Sequence, residues 1–208
     1  MGHITPTRNG LPENVNATSP GGLWEAGVLL DVLYARYLIA PSDANAEPIR
    51  AEWNYIQSTF DDSQLTDCGV PTQNYASDDT GWNASSFLQL YDVTHDAHAL
   101  ALAKGAAQCG YNRWGDMQFG GGLWYDDTKN YKSLYQTGLA NDAFRIFQIT
   151  REPIYLSYVR FSYNWMEQYL KRADGLYWTD YGWWPNENHT SVAPHPLGVE
   201  RPEDIRLA

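Results

Sequence analysis

A helical repeat limits the fold of this chain more than any other feature of its sequence. The stretch WNASSFLQLYDVTHDAHALALAKGAAQ is followed by LANDAFRIFQITREPIYLSYVRFSYNW, and Thr94 aligns with Thr150 and Leu100 with Leu156 at one offset of 56 residues. A looser copy begins earlier, at LWEAGVLLDVLYARYL. In each copy apolar residues recur every three or four positions on both sides of a short polar turn, which is typical of two amphipathic helices. The sequence therefore predicts an all-α fold of repeated helical hairpins.

The segments that join the hairpins indicate how the hairpins are arranged. Repeated hairpins can stack as an open solenoid or close into a toroid. Here the joining segments are long and rich in glycine and aromatic residues, as in GGGLWY and DGLYW. Long loops gathered at one end of a helical frame are a common place for a binding site, so we favour the toroid. No run of alternating β-branched residues supports a strand, and we expect residues 182–208 to form an irregular tail.

The charge and hydropathy of the chain exclude several kinds of partner. With 25 acidic and 14 basic residues the net charge is −11, which opposes binding to nucleic acids and anionic lipids. No apolar run reaches the roughly 20 residues that a membrane-spanning helix needs, and the first residues lack the pattern of a signal peptide. The histidines lack the fixed spacing of zinc sites, so we expect neither a metal nor a cofactor. For Cys68 and Cys109 we favour free thiols over a disulfide.

The aromatic content points towards a particular kind of ligand. Aromatic residues make up 14% of the chain, with 9 Trp and 15 Tyr. Tyr and Trp combine a flat apolar face with a polar group, which suits stacking on sugar rings. Individual aromatic residues can equally fill the space between helices. The excess as a whole favours a carbohydrate-binding cleft.

Two adjacent acids, Asp78 and Asp79, stand at the start of a predicted helix in the stretch NYASDDTGWN. One interpretation is helix capping, because carboxylates at this position accept backbone N–H groups and are favoured by the helix dipole. The other is catalysis, since a retaining glycosidase needs a nucleophilic carboxylate and a carboxylic acid about 5 Å apart. Two close carboxyl groups also differ in pKa, which provides one base and one acid. Trp82, one turn later, is either an apolar wall for this pair, a face for the sugar or a core residue.

Two other acid pairs are weaker candidates for catalysis. Asp126 and Asp127 follow GLWY in a polar loop. They either belong to a solvated turn or line the cleft, and the sequence does not decide between these interpretations. Asp61 and Asp62 end a predicted helix, where the dipole opposes negative charge. Asp78 and Asp79 are therefore the first choice.

Several blocks of the sequence, in order, resemble glycoside hydrolase family 76, the endo-acting α-1,6-mannanases and their fungal cell-wall relatives. The blocks are DDTGWNASSFLQLYDVTHDAHALALA, GGGLWY, NYKSLYQTGLANDAFRIFQIT and YNWMEQYLKRADGLYWTD, and the resemblance covers about Leu23 to Asp180. It implies an (α/α)6 toroid and a retaining mechanism with an adjacent Asp pair in the cleft. Carried over by position, it implies that Asp78 is the nucleophile and Asp79 the general acid/base.

The resemblance also implies a set of substrate-binding residues. In the glycine–aromatic loop the glycines would let the backbone approach the sugar, and Trp124 would stack on it. The family's Ser-Asn-Glu stretch is replaced by QTG at positions 136–138, so Tyr135 and Gln136 are the candidates to compensate. Two interpretations remain for Lys132: it contacts the substrate, or it is a solvated cation of the loop. The predicted substrate-binding residues are Trp82, Gly121, Gly122, Trp124, Tyr125, Lys132 and Gln136.

The helix count and the site together define what we expect of the chain. About six helices can be counted, half of the twelve in such a toroid, so we expect residues 1–208 to form one incomplete toroid domain. The first hypothesis is a retaining glycoside hydrolase that cleaves α-mannosidic linkages. Its expected substrate is the polysaccharide α-1,6-mannan. The alternatives are a carbohydrate-binding or transglycosylating relative with weak or no hydrolysis, and a helical scaffold for protein partners. The resemblance further implies a secreted or cell-envelope protein.

Overall fold

The computed structural model describes residues 20–66, 76–182 and 193–195. Seven α-helices lie in these ranges, and six of them have 15 or more residues. The helices are α1 (Pro20–Ile39), α2 (Asp43–Thr59), α3 (Asp62–Leu65), α4 (Ser77–Thr94), α5 (Ala97–Trp114), α6 (Gln136–Thr150) and α7 (Pro153–Tyr169). One antiparallel sheet, in the order β1–β2–β3, contains the strands β1 (Tyr131–Ser133), β2 (Asp180–Gly182) and β3 (Ala193–His195).

The aligned threonines of the repeat build the same turn in two hairpins. Thr94 ends α4 and Thr150 ends α6, and each hydroxyl donates to the carbonyl four residues earlier, at 2.6 Å to Leu90 and 2.9 Å to Ile146. Each Oγ1 also accepts the backbone N–H two residues later, at 3.2 Å in both turns. The residue after each threonine has a left-handed φ, 55° in one turn and 61° in the other. One side chain thus ends a helix and positions the start of the next, which explains why the threonine recurs.

The described residues form two compact units, and the first contains residues 20–66 and 82–106. Its core consists of apolar side chains from its helices, among them the fully buried Leu30 and Ile49. Trp53, also in this core, donates its Nε1–H to Asp96 at 2.7 Å and so connects α2 to the turn before α5. This hydrogen bond is the main reason why the pKa of Asp96 lies below its usual value.

The second unit contains residues 76–81, 107–182 and 193–195. Here Tyr111 of α5 stacks on Tyr158 of α7, with ring centroids 4.2 Å apart and an interplanar angle of 6°. Close approach of α6 to α5 depends on Gly110, because a Cβ at this position would lie only 2.4 Å from a methyl group of Leu139. Large aromatic rings and small residues therefore fill the space between these helices together, as packing at native density requires.

The short sheet corrects the expectation that the chain contains no strands. Each strand has three residues, and β1 pairs with β2 in a register from Tyr131 opposite Gly182 to Ser133 opposite Asp180. A three-residue strand is too short to show the alternating pattern by which strands are recognised in a sequence. Of the predicted irregular tail, 182–208, the structure describes Gly182 and β3, and the other residues lie outside the described ranges.

The state of the cysteines also differs from the prediction. Cys109 is disulfide-bonded, so the preference for free thiols was wrong. Cys68 lies outside the described residues. Among the helices that the structure describes, none is long and apolar enough to cross a membrane.

Glu52 is an unusual residue in the core of the first unit. It lies on α2 with 1% of its surface exposed. Neither of its carboxyl oxygens has a hydrogen-bond partner among the described residues. Burial without a partner disfavours the charged carboxylate and raises the pKa of Glu52 to about 7, from an ordinary value of 4.5. The folded state therefore favours the protonated form of this side chain.

We expect Glu52 to make the stability of the chain fall as the pH rises. Because the folded state binds this proton more tightly than the unfolded state, the contribution is fully present below pH 4.5 and is lost as the pH rises to about 7. The total loss in the free energy of unfolding is about 3 kcal/mol. Glu52→Gln should remove this pH dependence and stabilise the chain at pH 8, as measured by urea unfolding from pH 5 to pH 8.

Glu47→Gln is the matched control, since Glu47 lies on the same helix with 73% of its side chain exposed. This control should follow the parent protein at every pH. An unchanged pH dependence in Glu52→Gln would contradict the assignment of a buried, protonated Glu52.

Candidate active site

Asp78 and Asp79 lie in the first turn of α4, and the loop between α5 and α6 is paired with this turn. The backbone N–H of Ser77 donates to the carbonyl of Tyr125 at 2.5 Å, and Ala76 forms an isolated β-bridge with the residue after Tyr125. All of these residues belong to the second unit. The acid pair and the loop segment around Tyr125 therefore form one local site.

Both carboxyl groups of the pair are partly exposed, and both have a raised pKa. Burial raises the pKa of Asp78, and hydrogen bonds from the backbone, including one from the N–H of Asp79 at 3.1 Å, oppose the shift. For Asp79 burial is again the largest cause, and the negative charge of Asp78 raises the pKa further. A backbone hydrogen bond at Ala76 acts in the opposite direction. The pair is thus suited to hold one proton at a pH where isolated aspartates are ionised.

Tyrosine rings flank the acid pair. Tyr125 stacks on Tyr131, with centroids 5.1 Å apart and an interplanar angle of 15°, and lies 6.1 Å from the ring of Tyr135 at 51°. Burial first, and then the charges of Asp78 and Asp79, raise the pKa of Tyr125 to about 12. Burial also raises the pKa of Tyr131. Both phenols therefore keep their protons at neutral pH and can donate hydrogen bonds.

Lys132 is fully buried and binds the inside of the loop. Its Nζ donates to the carboxylate of Asp116 at 2.8 Å and to the carbonyls of Asp116, Gln118, Gly121 and Gly122 at 3.1, 2.7, 2.6 and 3.2 Å. Burial lowers the pKa of Lys132, whereas at Asp116 the bonds from its partners outweigh burial and lower the pKa. Because all five neighbouring atoms are acceptors, the charged ammonium is the form that fits. This position agrees neither with substrate contact nor with a solvated loop cation.

Trp124 and Gln136 are also parts of the frame. Trp124 has no exposed surface and donates its Nε1–H to Asp116 at 2.5 Å, so it offers no face to a sugar. Gln136 is fully buried, accepts the N–H of Leu123 at 3.0 Å and donates to the carbonyl of Ser133 at 2.8 Å. The sugar contacts expected for Trp124 and Gln136 do not agree with these positions, because neither side chain has exposed surface.

The glycines of the loop allow a close approach, but the group that approaches belongs to the protein. Gly121 and Gly122 are buried and have φ values of 122° and 77°. A Cβ at Gly122 would lie 2.5 Å from the ring of Trp165. A side chain at this position would therefore displace the tryptophan, quite apart from the strained backbone.

The remaining sequence-predicted candidates, Trp82, Asp126 and Asp127, differ in exposure and in hydrogen-bond partners. Trp82 lies one turn after the acid pair on α4 and is 41% exposed. Asp127 forms an ion pair with Arg113, which is the main reason why the pKa of Asp127 is lowered. Asp126 accepts the N–H two residues later at 2.9 Å, as in a turn.

A surface cavity of about 330 Å³ lies between α7 and the turn before the glycines. Neither Asp78 nor Asp79 lines this cavity.

Sequence reasoning missed Tyr131 and Asp116. Tyr131 projects from β1, a strand that the sequence pattern could not reveal, and Asp116 was not recognised as the partner of a buried cation. A usable signal was the clustering of tyrosines at positions 125, 131 and 135 around one loop. Asp116 gave no such signal, since a single acid in a polar loop is ordinarily solvated.

The chain belongs to glycosyl hydrolase family 76, because the model of this family matches residues 4–192. This membership confirms the resemblance found in the sequence. A search of curated proteins gave no significant match.

Solved structures with a similar fold include several members of this family. One is an inactive variant of the α-1,6-mannanase GH76A of Salegentibacter sp. HEL1_6, with two neighbouring aspartates replaced by asparagine, in complex with α-1,6-mannotriose. It has 21% identity, a TM-score of 0.68, and matches over 88% of this chain and 53% of its own. The family 76 mannosidase Bt3792 of Bacteroides thetaiotaomicron VPI-5482 has 20% identity and a TM-score of 0.62, over 84% and 49% of the two chains. A D-mannose isomerase also matches, with 12% identity and a TM-score of 0.63, over 86% and 50%.

These comparisons define the fold class. The described helices match part of the (α/α)6 toroid of the solved family members, which confirms the predicted fold. The chain spans about half the length of the solved relatives that it matches. The isomerase shares the fold, so the fold by itself does not determine the reaction.

We expect the buried Lys132 to be required for a stable loop. Lys132→Met keeps the length of the side chain but leaves the carboxylate of Asp116 and several carbonyls without their donor, which should lower the free energy of unfolding by about 3 kcal/mol or more. Urea unfolding measures the difference. Lys129→Met is the control, because Lys129 is half exposed and its Nζ lies 3.9 Å from Asp116; it should cost less than about 0.5 kcal/mol. Equal effects of the two substitutions would contradict the role of Lys132.

Proposed function

We propose that the protein is a retaining glycoside hydrolase that cleaves α-mannosidic linkages, with α-1,6-mannan as the substrate. The observation that carries this proposal is the adjacent pair Asp78 and Asp79, partly exposed, raised in pKa and next to Tyr125. Membership of family 76 supports it. So does the relative in which replacement of two neighbouring aspartates gives an inactive protein that is still found with α-1,6-mannotriose.

The two carboxyl groups have different environments, and this difference supports different roles. Burial is the largest influence on both acids and raises the pKa of each. Two backbone hydrogen bonds then favour the anion of Asp78, whereas one backbone hydrogen bond favours the anion of Asp79 and the charge of Asp78 opposes it. Asp78 is therefore the better nucleophile and Asp79 the better proton donor. This assignment follows the general rule that neighbouring titratable groups with separated pKa values divide the acid and base roles.

In the first step a carboxylate oxygen of Asp78 bonds to the anomeric carbon while the glycosidic C–O bond breaks. Asp79 gives its proton to the leaving oxygen, so the first product leaves as a neutral alcohol. In the second step Asp79 takes a proton from water, the water oxygen bonds to the anomeric carbon, and Asp78 is released as a carboxylate. Two displacements at the same carbon retain its configuration.

Helix capping is compatible with this chemistry. The N–H of Asp79 occupies one oxygen of Asp78, at 3.1 Å. A carboxylate has two oxygens with about four acceptor sites, so one backbone bond leaves capacity for a substrate. The backbone bonds also fix the orientation of the side chains, which lowers the cost of reaching the reactive geometry.

Replacement of either acid should abolish most of the hydrolysis. In the full-length protein, Asp78→Asn and Asp79→Asn should each reduce the release of reducing ends from α-1,6-mannan by about a hundredfold or more, because each removes a group that acts in the transition state. Asp43→Asn is the matched control, since Asp43 lies in the first turn of α2 with 98% of its side chain exposed. Unchanged hydrolysis in both site variants would refute the mechanism.

The two roles can be separated with an activated substrate. A 2,4-dinitrophenyl α-1,6-mannobioside has a leaving group that needs no protonation, so Asp79→Asn should retain a burst of dinitrophenolate and Asp78→Asn should lose it. A burst in Asp78→Asn but not in Asp79→Asn would reverse the assignment. If mannan is consumed without new reducing ends and longer oligosaccharides appear, the transglycosylating alternative is correct.

A further inference from the structure

Tyr131, Tyr125 and Tyr135 form a row of three rings, which we call the tyrosine row. The inner pair, Tyr131 and Tyr125, is stacked at 5.1 Å, and both side chains are half-buried. The outer member, Tyr135, is tilted against Tyr125 at 6.1 Å and is 53% exposed. The row thus extends from the interior of the loop to its surface.

The tyrosine row is attached directly to the acid pair. The carbonyl of Tyr125 accepts the N–H of Ser77 at 2.5 Å, and Asp78 is the next residue in the chain. The charges of Asp78 and Asp79 also act on the hydroxyl of Tyr125. A Cβ on Gly81, two residues after Asp79, would lie 3.2 Å from the backbone N of Leu139. The first turn of α4, with the acids, and the first turn of α6, which follows Tyr135, are therefore neighbours.

The backbone beneath Tyr135 is held rigidly. Its N–H donates to Ser133 Oγ at 3.2 Å, and Ser133 is fully buried. On the other side Gln136 is fully buried and fixed by hydrogen bonds at both ends of its amide. A ring on such a support needs little further ordering when it binds a ligand, which lowers the entropic cost of binding.

Exposure alone does not distinguish Tyr135, but its contacts do. In the described part of the second unit the exposed aromatic residues are Tyr135, Phe144 and Tyr163. Of these, Tyr135 is the one with a ring contact to Tyr125. Sugar rings present C–H groups on one face and bind well to flat aromatic rings that have a polar edge. The buried Trp124 cannot provide this face.

We propose that Tyr135 is a substrate-binding residue on which a mannosyl unit of the substrate stacks while the neighbouring linkage lies at Asp78 and Asp79. This inference rests on the proposed function and names the residue that takes the part expected of Trp124. Tyr125 and Tyr131 hold the ring of Tyr135 from behind. The chemistry of the contact is the apolar face of the ring, so the hydroxyl of Tyr135 is dispensable.

The test is equilibrium binding of α-1,6-mannotriose to the full-length protein in the catalytically silent Asp78→Asn/Asp79→Asn background, measured by titration calorimetry. Adding Tyr135→Ala should weaken the affinity about tenfold, since the stacking face is lost. Tyr135→Phe should remain within about twofold because it keeps the ring. Tyr163→Ala is the matched control, as Tyr163 is 55% exposed on α7, and it should have no effect. Circular dichroism and the melting temperature verify that each variant is folded.

The possible results separate this inference from the proposed function. If the background protein binds mannotriose and Tyr135→Ala binds it equally well, Tyr135 does not contact the sugar and the proposed function stands. If Tyr135→Phe loses as much affinity as Tyr135→Ala, the hydroxyl rather than the ring face makes the contact and the stacking proposal is wrong. An equal loss in Tyr163→Ala would likewise overturn it. Absence of binding in the background protein itself would refute the α-1,6-mannan function and this inference with it.

Discussion

The burial of one ammonium group, that of Lys132, organises the loop on which the candidate site depends. A single charge inside a protein is costly, and here a carboxylate and four carbonyls surround it within 3.2 Å. These carbonyls belong to Asp116, Gln118, Gly121 and Gly122. Because all of them must point at one ammonium group, the conformation of the loop between α5 and β1 is restricted. Lys132 also lies between Tyr131 and Ser133 on β1, so the same interaction fixes the strand from which Tyr131 projects.

The acid pair stands where two structural demands coincide. The start of a helix offers free N–H groups that favour carboxylates, and partial burial beside a second carboxylate disfavours ionisation. At Asp78 and Asp79 both effects are present, and burial outweighs the hydrogen bonds, so each pKa is raised. Capping and catalysis, which the sequence presents as rival interpretations, are thus compatible at this position.

The helical hairpins and the candidate site belong to different parts of the chain. The helical hairpins match proteins as different as a mannanase and an isomerase at 21% identity or less, so the frame is compatible with more than one reaction. Within the second unit the residues of the candidate site lie at the start of α4 and in the loop before α6. Trp124, Lys132 and Gln136 support that loop from inside, and the tyrosine row forms its outer surface.

The sequence by itself determined the helical hairpins, the turns at Thr94 and Thr150, and the acid pair. These features are local: a helix repeats every 3.6 residues, and a threonine acts on backbone groups two to four residues away. Only the tertiary structure decided that Trp124, Lys132 and Gln136 are buried, that the carboxyl group of Glu52 has no hydrogen-bond partner among the described residues, and that three tyrosines form a row. Burial of a single loop residue depends on segments distant in sequence, such as Asp116 for Lys132, and these leave no periodic pattern in the chain.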